Sequence, residues 1–272
     1  MKDLKDRVAM VTGAASGIGR ATSLAFADEG CHLVICDIDG ESLAGVARQI
    51  EAKGRDVLAR RCDVSSEEDM RDLAKASFER FGKVDIAMSN AGCAVIGESY
   101  KLDSSHWRKV LGVNLWGAIY TLMYFVPPMV ERREGHLVVT ASGMGLVAAP
   151  YAATYSTSKF ALVGLTESIR AELAVHNVGV TTLCPAVVKT PIFQRAELIG
   201  FQDKVRWMLH YTGGISPERF AHKVIRGIKE NKGLMTVSVL THVTHGIKRL
   251  SPSLHERALA ALARSTYSRY KE

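Results

Sequence analysis

The sequence has few cysteines, and their spacing is not typical of a disulfide framework or a structural zinc site. Five cysteines occur in 272 residues, an odd number, and no Cys-x-x-Cys pair is present. A chain of this length can bury a core large enough to fold without cross-links. We therefore expect free, mostly buried thiols in a reducing compartment, which favours a cytoplasmic location. No metal site is expected, because His242 and His245 have no third or fourth ligand near them in the sequence.

Segments for export or for crossing a membrane are also scarce. The first residues, MKDLKDRVAMVTG, include charges and lack the apolar run of a signal peptide, so we expect no export. One stretch, 110–130, runs for 21 residues without a charge, which is long enough to span a bilayer. Because it contains Asn114 and the pair Pro127-Pro128, we expect a helix that is buried or covered by a partner.

The excess of positive charge is confined to the last quarter of the chain. Residues 200–272 contain 13 Lys and Arg against 5 Asp and Glu, whereas residues 1–199 contain 22 against 23. Such a basic face is compatible with an anionic membrane surface, with a phosphorylated substrate carrier, or with an ordinary solvated helix. From Ser253 onward leucines and alanines recur at helical intervals among arginines, so peripheral contact with an anionic membrane stays an open interpretation. Nucleic acid is not expected as a partner, because no basic run interleaved with aromatic residues accompanies the charge.

Short apolar runs alternate with segments of helical periodicity along most of the chain. The strand-like runs are RVAMVTG, CHLVICD, VLARRCD, VDIAMSNAG, HLVVTAS and VGVTTLCP. Strands joined by helices pair in parallel through right-handed crossovers. The pattern predicts an α/β fold: a single-domain, doubly wound (Rossmann) parallel sheet of about seven strands, with GLMTVSV as the seventh and helices on both faces. We expect residues 1–240 to form the dinucleotide-binding and catalytic part, with a substrate lid at about 191–215, and residues 241–272 to form a basic helical extension of the same domain.

The turn after the first strand, TGAASGIGR, is rich in glycine. Gly13, Gly17 and Gly19 stand between a strand and a helix, with Ser16 and Ile18 among them. A tight turn, close approach of a pyrophosphate to the backbone and a helix N-terminus are needed together at such a place. In this strand–turn–helix context the glycines predict a dinucleotide site.

Asp37, at the end of the second strand, indicates which dinucleotide binds. A carboxylate there accepts hydrogen bonds from both hydroxyls of the adenosine ribose and repels a 2′-phosphate. The next residue is Ile38 rather than a cation, and we expect Arg20, one turn into the helix, to point elsewhere. NAD is therefore favoured over NADP.

The motifs TGAASGIG, CDV, SNAG, YSTSK and CPAVVKT follow one another in an order that resembles the short-chain dehydrogenase/reductase family, over about residues 5–240. The resemblance implies that the cofactor is held, beyond the glycine turn and Asp37, by Asp63, Val64, Asn90, Ala91, Gly92, Pro185, Val188 and Thr190. In the family Asn90 would brace the central sheet. The family usually has glycine after the proline, where this chain has Ala186, so we expect a backbone strained there if the position needs a positive φ.

The resemblance also implies a catalytic tetrad of Asn114, Ser142, Tyr155 and Lys159. Residues four apart share one face of a helix, so Tyr155 and Lys159 should face the same cleft and both contact the cofactor. We expect the Lys159 ammonium, together with the positive nicotinamide of the oxidised cofactor, to lower the pKa of Tyr155, which then exchanges a proton with an alcohol or ketone. Ser142 would orient the substrate oxygen, and Asn114 would hold a water that links Lys159 to solvent.

These features predict an NAD(H)-dependent oxidoreductase that interconverts a secondary alcohol and a ketone. The substrate is expected to be lipophilic, such as a steroid, retinoid or fatty derivative, because the lid segment is apolar and bulky: Ile192, Phe193, Leu198, Phe201, Trp207, Met208 and Tyr211. Two alternatives stay open, an NADP-dependent 3-oxoacyl reductase acting on carrier- or CoA-linked substrates and a non-catalytic NAD-binding sensor. Asp37 disfavours the first of these, and an intact tetrad disfavours the second.

Two helical segments indicate self-association. They are the uncharged stretch 110–130 and the helix that begins near Tyr151. The second helix has small, apolar side chains on more faces than contact with one sheet would cover. We expect a homo-oligomer, a dimer or a tetramer.

Overall fold

Seven parallel strands form the centre of the protein in a computed structural model that describes residues 1–203, 214–236 and 238–271. Six of them are β1 (Val8–Thr12), β2 (His32–Asp37), β3 (Val57–Arg61), β4 (Ile86–Ser89), β6 (Gly135–Thr140) and β7 (Val178–Leu183). The seventh is β9 (Leu234–Met235), which pairs with β7. The order β3-β2-β1-β4-β6-β7-β9 is that of a doubly wound sheet and confirms the predicted fold class.

The alternation of side chains along the strands builds one core on each face of the sheet. In β1, Ala9 and Val11 belong to the first core, and Val8 and Met10 belong to the second. Helices α1 (Gly17–Asp28), α2 (Gly40–Glu51) and α7 (Pro217–Lys229) cover the first face. Helices α3 (Glu67–Phe81), α5 (Gly117–Arg132) and α6 (Ala153–Ala174) cover the second. Strands buried on both sides explain the continuous apolar runs in the sequence.

The uncharged stretch 110–130 lies in a helical region with an irregular turn. Helix α4 (Ser104–Leu111) starts at the cap Asp103, continues into a π-helical turn (Gly112–Trp116), and leads into α5. By length and composition alone the region 104–132 could cross a membrane, but a helix packed on a protein core passes the same test. The side chains of Thr121, Phe125 and Met129 are buried between α5 and the sheet.

A small parallel pair of strands, which the sequence pattern did not predict, joins the lid segment to the body. Strand β5 (Val95–Gly97) pairs with β8 (Glu197–Ile199), over a separation of about a hundred residues. Trp207, Met208 and Tyr211 of the expected lid lie outside the described residues. The pair fixes the first part of the lid, residues 191–203, beside the loop that follows β4.

The C-terminal segment is helical and packs against this region. It consists of α8 (Val239–Leu250) and α9 (Pro252–Tyr270). Lys248 Nζ donates to the carbonyl of Leu146 over 2.8 Å, and the hydroxyl of Tyr151 donates to the carbonyl of Ala263 over 2.9 Å. Near the chain end, Lys271 forms an ion pair with the buried carboxylate of Glu98.

Candidate active site

A cavity of about 440 Å³ opens beside the carboxyl ends of the central strands. Ligands of doubly wound sheets bind in this crevice. Nearly all the site residues predicted from the sequence line it: Gly13, Ser16, Gly17, Ile18, Asp37, Asp63, Val64, Asn90, Ala91, Gly92, Ser142, Tyr155, Lys159, Pro185, Val188 and Thr190. Gly19 and Asn114 are the predicted residues that are not part of the lining.

The glycine turn leaves no room for side chains. Gly13 and Gly17 have φ of +66° and +55°. A Cβ on Gly13 would lie 2.7 Å from the Cα of Ala91, and a Cβ on Gly19 would lie 2.1 Å from the carbonyl oxygen of Gly13. Gly19 therefore allows α1 to approach the turn closely, while Gly13 and Gly17 shape the cavity wall.

The carboxylate of Asp37 is held at the end of the cavity that contains the glycine turn, by backbone amides. Its oxygens accept hydrogen bonds from the amides of Ala15 and Asp39, over 2.9 and 3.0 Å. Arg20 is turned away, and its guanidinium donates to Gln49 over 2.9 Å. One cation from the lid, Arg195, lines the same cavity and helps to lower the pKa of Asp39, after the larger effect of hydrogen bonds from Ser42.

Asn90 connects three central strands beneath the cavity. Its amide nitrogen donates to the carbonyl of Thr12 in β1 over 3.0 Å, and its oxygen accepts from the hydroxyl of Thr140 in β6 over 3.2 Å. The hydroxyl of Thr12 accepts from the amides of Asn90 and Ala91. The loop after β4 is thereby fixed to the glycine turn.

Asp63 has a local hydrogen-bonding role in addition to its place in the cavity wall. Its carboxylate accepts from the amide and the hydroxyl of Ser65, over 2.9 and 2.7 Å. These contacts order the turn after β3, so that Asp63 and Val64 lie side by side on the wall.

Tyr155 and Lys159 face the cavity from α6, opposite Ser142 at the end of β6. Tyr155 is 4% exposed and Lys159 2% exposed. The Lys159 Nζ lies 5.5 Å from the centre of the Tyr155 ring and donates to the carbonyl of Thr140 over 2.8 Å. The hydroxyl of Ser142 accepts from the amide of Met144 over 3.1 Å.

Burial dominates the electrostatics of Tyr155 and Lys159 in the protein alone, and the expected fall in the pKa of Tyr155 beside an oxidised cofactor stays a prediction. Burial raises the pKa of Tyr155 to about 12, and a hydrogen bond with Ser142 opposes the rise only in part. Burial also lowers the pKa of Lys159 to about 8. Loss of water is the main cause of both shifts, because both groups are almost fully covered.

Asn114 lies behind the cavity, in the π-helical turn, with its side chain fully engaged. Its oxygen accepts from the amide of Cys93 over 2.8 Å. Its nitrogen donates to the carbonyl of Cys93 over 3.0 Å and to the hydroxyl of Ser158 over 2.9 Å. The side chain thus ties the loop after β4 to α6, next to Lys159, and keeps one acceptor position on Oδ1.

The far end of the cavity is apolar. Ala94, Ile96, Tyr155 and Ala196 form a buried cluster, against which Met144, Ile192, Phe193 and Leu198 pack. The ring of Phe193 meets that of Tyr155 edge-on at 5.8 Å. Phe201, expected in the lid lining, is instead buried against Tyr151, with ring centres 4.8 Å apart.

The backbone after Pro185 is unstrained. Alanine follows this proline, and Ala186 does not adopt a positive φ. The expected strain is therefore absent at this position, and the departure from the family pattern leaves the cavity wall intact.

Several lining residues were not predicted from the sequence: Ile38, Cys62, Cys93, Ala94, Lys109, Val113 and Arg195. Most of them are neighbours of predicted residues, so adjacency to the motifs was the signal available. Lys109 and Arg195 carried no such signal, because their place depends on how α4 and the lid fold over the cavity.

The chain matches a sequence model of the family described as short chain dehydrogenase over residues 7–198. It is 34% identical to the CLA biosynthesis dehydrogenase/reductase of Lactiplantibacillus plantarum over 89% of this chain and 90% of that protein. It is 38% identical to the 1-deoxy-11-beta-hydroxypentalenate dehydrogenase of Streptomyces exfoliatus over 70% of each chain. Among solved structures, a short chain dehydrogenase/reductase from Burkholderia phymatum in complex with NAD superposes with a TM-score of 0.88, at 31% identity, covering 93% of this chain and 96% of that one.

Proposed function

We propose that this chain, which belongs to the short-chain dehydrogenase family, is an NAD(H)-dependent oxidoreductase that interconverts a secondary alcohol and a ketone on a lipophilic substrate. One observation carries the proposal. A single cavity holds the glycine turn and Asp37 at one end and Ser142, Tyr155 and Lys159 at the other. A dinucleotide that extends from the first group to the second would place its reactive ring beside the second.

The glycine turn fits a nicotinamide dinucleotide. Gly13 and Gly17 form a cradle that a Cβ would fill, at the N-terminus of α1, where backbone amides and the helix dipole favour a pyrophosphate. Asp63, Val64, Asn90, Ala91 and Gly92 would hold the adenosine half, and Pro185, Val188 and Thr190 the nicotinamide half. When bound, this cofactor supplies the acceptor or donor of hydride.

Asp37 favours NAD as the partner of this cradle. Its carboxylate is fixed by the amides of Ala15 and Asp39 and retains lone pairs for the ribose hydroxyls. A 2′-phosphate there would meet a negative charge that cannot turn away. The similarity to a solved relative in complex with NAD supports the same choice.

Tyr155 is proposed as the group that exchanges a proton with the substrate oxygen. With its pKa raised to about 12 it keeps its proton at neutral pH, so it is ready to donate to a ketone oxygen as the carbonyl is reduced. In the opposite direction its phenolate accepts the proton of an alcohol. Ser142, on the other side of the cavity from Tyr155, would orient the substrate oxygen between the two hydroxyls.

Lys159 is proposed to hold the nicotinamide ribose and to stabilise the phenolate. Its position is set by the carbonyl of Thr140, and its pKa of about 8 allows proton exchange close to neutral pH. Hydrogen bonds hold the side chain of Asn114, so we assign this residue a positioning role. It fixes Cys93 and Ser158 next to Lys159.

The apolar cluster beside Tyr155 supports a lipophilic substrate. Ile192 and Phe193 of the lid line the cavity there, next to the proposed proton donor. Such a surface gains free energy by covering hydrocarbon, at about 25 cal/mol for each Å² removed from water. The relative named as a dehydrogenase of 1-deoxy-11-beta-hydroxypentalenate is named for a hydroxy compound, which fits the proposed reaction type.

The proposal is tested with Tyr155→Phe and a panel of steroid, retinoid and fatty alcohols and ketones. The wild type should turn over at least one of them with NAD or NADH. The variant should lose activity by about two to four orders of magnitude while its affinity for NAD stays within a few-fold. Activity within a few-fold of wild type would exclude Tyr155 as the proton donor. A wild type that binds NAD without turning over any member of the panel would favour a sensor.

A further inference from the structure

Helix α8 is amphipathic, but its apolar side faces solvent. At about 100° per residue, four apolar residues fall within about 80° of one another around the helix: Val239, Val243, Ile247 and Leu250. Val239 is 79% exposed, Val243 51% and Leu250 89%. Gly246 lies on the same side, and a Cβ built there would meet no atom of the surrounding protein within 4 Å.

The polar side of α8 faces the protein. Thr241 is buried, and Lys248 reaches inward to the carbonyl of Leu146 and over the ring of Phe160, with Nζ 4.3 Å from the ring centre. The inward contacts of Thr241 and Lys248 fix the orientation of the helix, with Leu250 exposed. The apolar stripe therefore cannot be covered by rotation of the helix onto the core.

The next helix packs against α8 and also exposes apolar residues and positive charge. On α9, Leu254 and Leu262 are exposed, and Thr266 and Tyr270 face the protein. Exposed arginines border the two helices: Arg249, Arg257, Arg264 and Arg269. Within the described part of the chain none of these four forms an ion pair, and Glu256 is the one acidic residue of the two helices.

We propose that this C-terminal face, formed by the exposed apolar residues and arginines of α8 and α9, docks on an anionic lipid bilayer. Exposed apolar side chains between arginines are what a helix needs to lie in the headgroup region with its apolar side inserted. A second copy of the chain fits less well. In a two-fold contact each patch meets itself, so arginines would face arginines with one carboxylate per chain to compensate.

The placement of the face beside the cavity gives the contact a consequence. The inner sides of the same two helices contact the loop 143–146 and Tyr151, next to Ser142. A bilayer on the outer side would therefore lie close to the apolar end of the cavity. The inference itself does not depend on the proposed reaction, because binding to lipid is measured without turnover.

The test is sedimentation of the full-length protein with vesicles of phosphatidylcholine alone or of phosphatidylcholine mixed with phosphatidylserine. We expect binding to the mixed vesicles at low salt, weaker binding as salt shortens the Debye length to about 8–10 Å, and little binding to phosphatidylcholine alone. The double variant Arg249→Ala/Arg257→Ala should bind mixed vesicles roughly twenty-five-fold more weakly, at about five-fold for each arginine. The double variant Val243→Ser/Leu250→Ser should lose at least roughly ten-fold.

Controls separate the face from general changes in charge or fold. Arg48→Ala on α2 and Val175→Ser after α6 remove an exposed arginine and an exposed valine elsewhere, and both should bind as wild type does. All variants are checked for unchanged NAD affinity and thermal unfolding. Failure of the wild type to bind mixed vesicles at low salt overturns the proposal, as does equal binding by the face variants. If Val243→Ser/Leu250→Ser instead lowers the mass in solution, the face is an interface between copies, and the bilayer proposal is wrong.

Discussion

Replacement of Lys159 by methionine should stabilise the protein at neutral pH while abolishing its activity. Lys159 is 2% exposed, and burial lowers its pKa from the ordinary 10.5 to about 8. Each pKa unit corresponds to about 1.4 kcal/mol, so keeping the amine charged in the folded state costs about 3 kcal/mol. Methionine has a similar length, is uncharged and fills the same space.

The gain is reduced by the hydrogen bond that is lost. Lys159 donates to the carbonyl of Thr140 over 2.8 Å, and a hydrogen bond from a charged group contributes about 1.5–3 kcal/mol. We take the lower end, because the charge of Lys159 is itself destabilised by burial. The expected net gain at pH 7 is then about 1–2 kcal/mol, or an increase of about 2–4 °C in Tm for a chain of this size.

The dependence on pH identifies the cause. The depressed pKa means that the folded protein releases the Lys159 proton near pH 8, whereas the unfolded chain keeps it up to about pH 10.5. The penalty is therefore fully present below pH 8 and disappears as the pH rises toward 10.5, so the wild type gains about 3 kcal/mol relative to the variant over this window. Groups that titrate in both proteins cancel in the difference.

The measurement is urea unfolding of wild type and Lys159→Met, without added nucleotide and at equal protein concentration, at several pH values between 7 and 10.5. Lys75→Met, at an exposed lysine on α3, is the matched control and should give a difference that does not change with pH. The reasoning is refuted if the variant is less stable than the wild type at pH 7, or if the difference between the two is independent of pH.

Four further outcomes are expected from the same structure. Asp37→Ala should weaken NAD by about 1.5–3 kcal/mol and raise the relative preference for NADP, measured by titration of both cofactors; a wild type that already prefers NADP contradicts the assignment. Gly19→Ala should cost about 1–3 kcal/mol of stability and most of the cofactor affinity, because the Cβ would lie 2.1 Å from a carbonyl oxygen, whereas Gly45→Ala, with open space in α2, should stabilise by about 0.5–1 kcal/mol in the same unfolding assay. Light scattering should give a mass above the 29.7 kDa of one chain. The variant Gly164→Trp should reduce this mass toward 29.7 kDa, because Gly164 lies on an outer face of α6 where a Cβ would meet no atom within 4 Å. A wild type at 29.7 kDa disproves self-association. Oxidation rates should rise as pH increases through neutrality, whereas reduction rates should stay constant there and fall only as the pH passes about 8, because the pKa values of Tyr155 and Lys159 lie above neutrality; parallel profiles for the two directions would show that other groups control the rate.

The strands along the chain and the glycine turn could be predicted because each depends on residues within one short segment. Apolar runs such as VAMVT are buried on both sides wherever helices cover both faces, and the spacing of Gly13, Gly17 and Gly19 reflects steric needs within a few residues. The position of Tyr155 opposite Ser142 was reached through resemblance to a known family. Spacing on one helix explains only why Tyr155 and Lys159 share a face.

Other features depend on contacts between distant segments, which pattern does not reveal. The β5–β8 pair consists of three residues on each side and has no sequence periodicity of its own. Arg195, which lies two residues before that pair, lines the cavity together with Asp37. The expected fall in the pKa of Tyr155 stays a prediction, because it depends on the positive nicotinamide of an oxidised cofactor as well as on Lys159. The exposed apolar stripe of α8 has the same periodicity as a buried one, and only the inward contacts of Thr241 and Lys248 show which side faces out.

The two ends of the cavity are coupled by a continuous hydrogen-bonded path across the sheet. Thr12, next to the glycine turn, accepts from the side chain of Asn90, which accepts from the hydroxyl of Thr140, whose carbonyl accepts from Lys159. The path crosses β1, β4 and β6, so the sheet itself sets the distance between the cradle for the cofactor and the amine beside Tyr155. A buried amine with a lowered pKa is costly, and the fold tolerates it because these fixed partners leave it one position. The buried amine of Lys159 therefore costs stability. In the proposed function this amine exchanges protons at the place where a dinucleotide bound in the cradle would end.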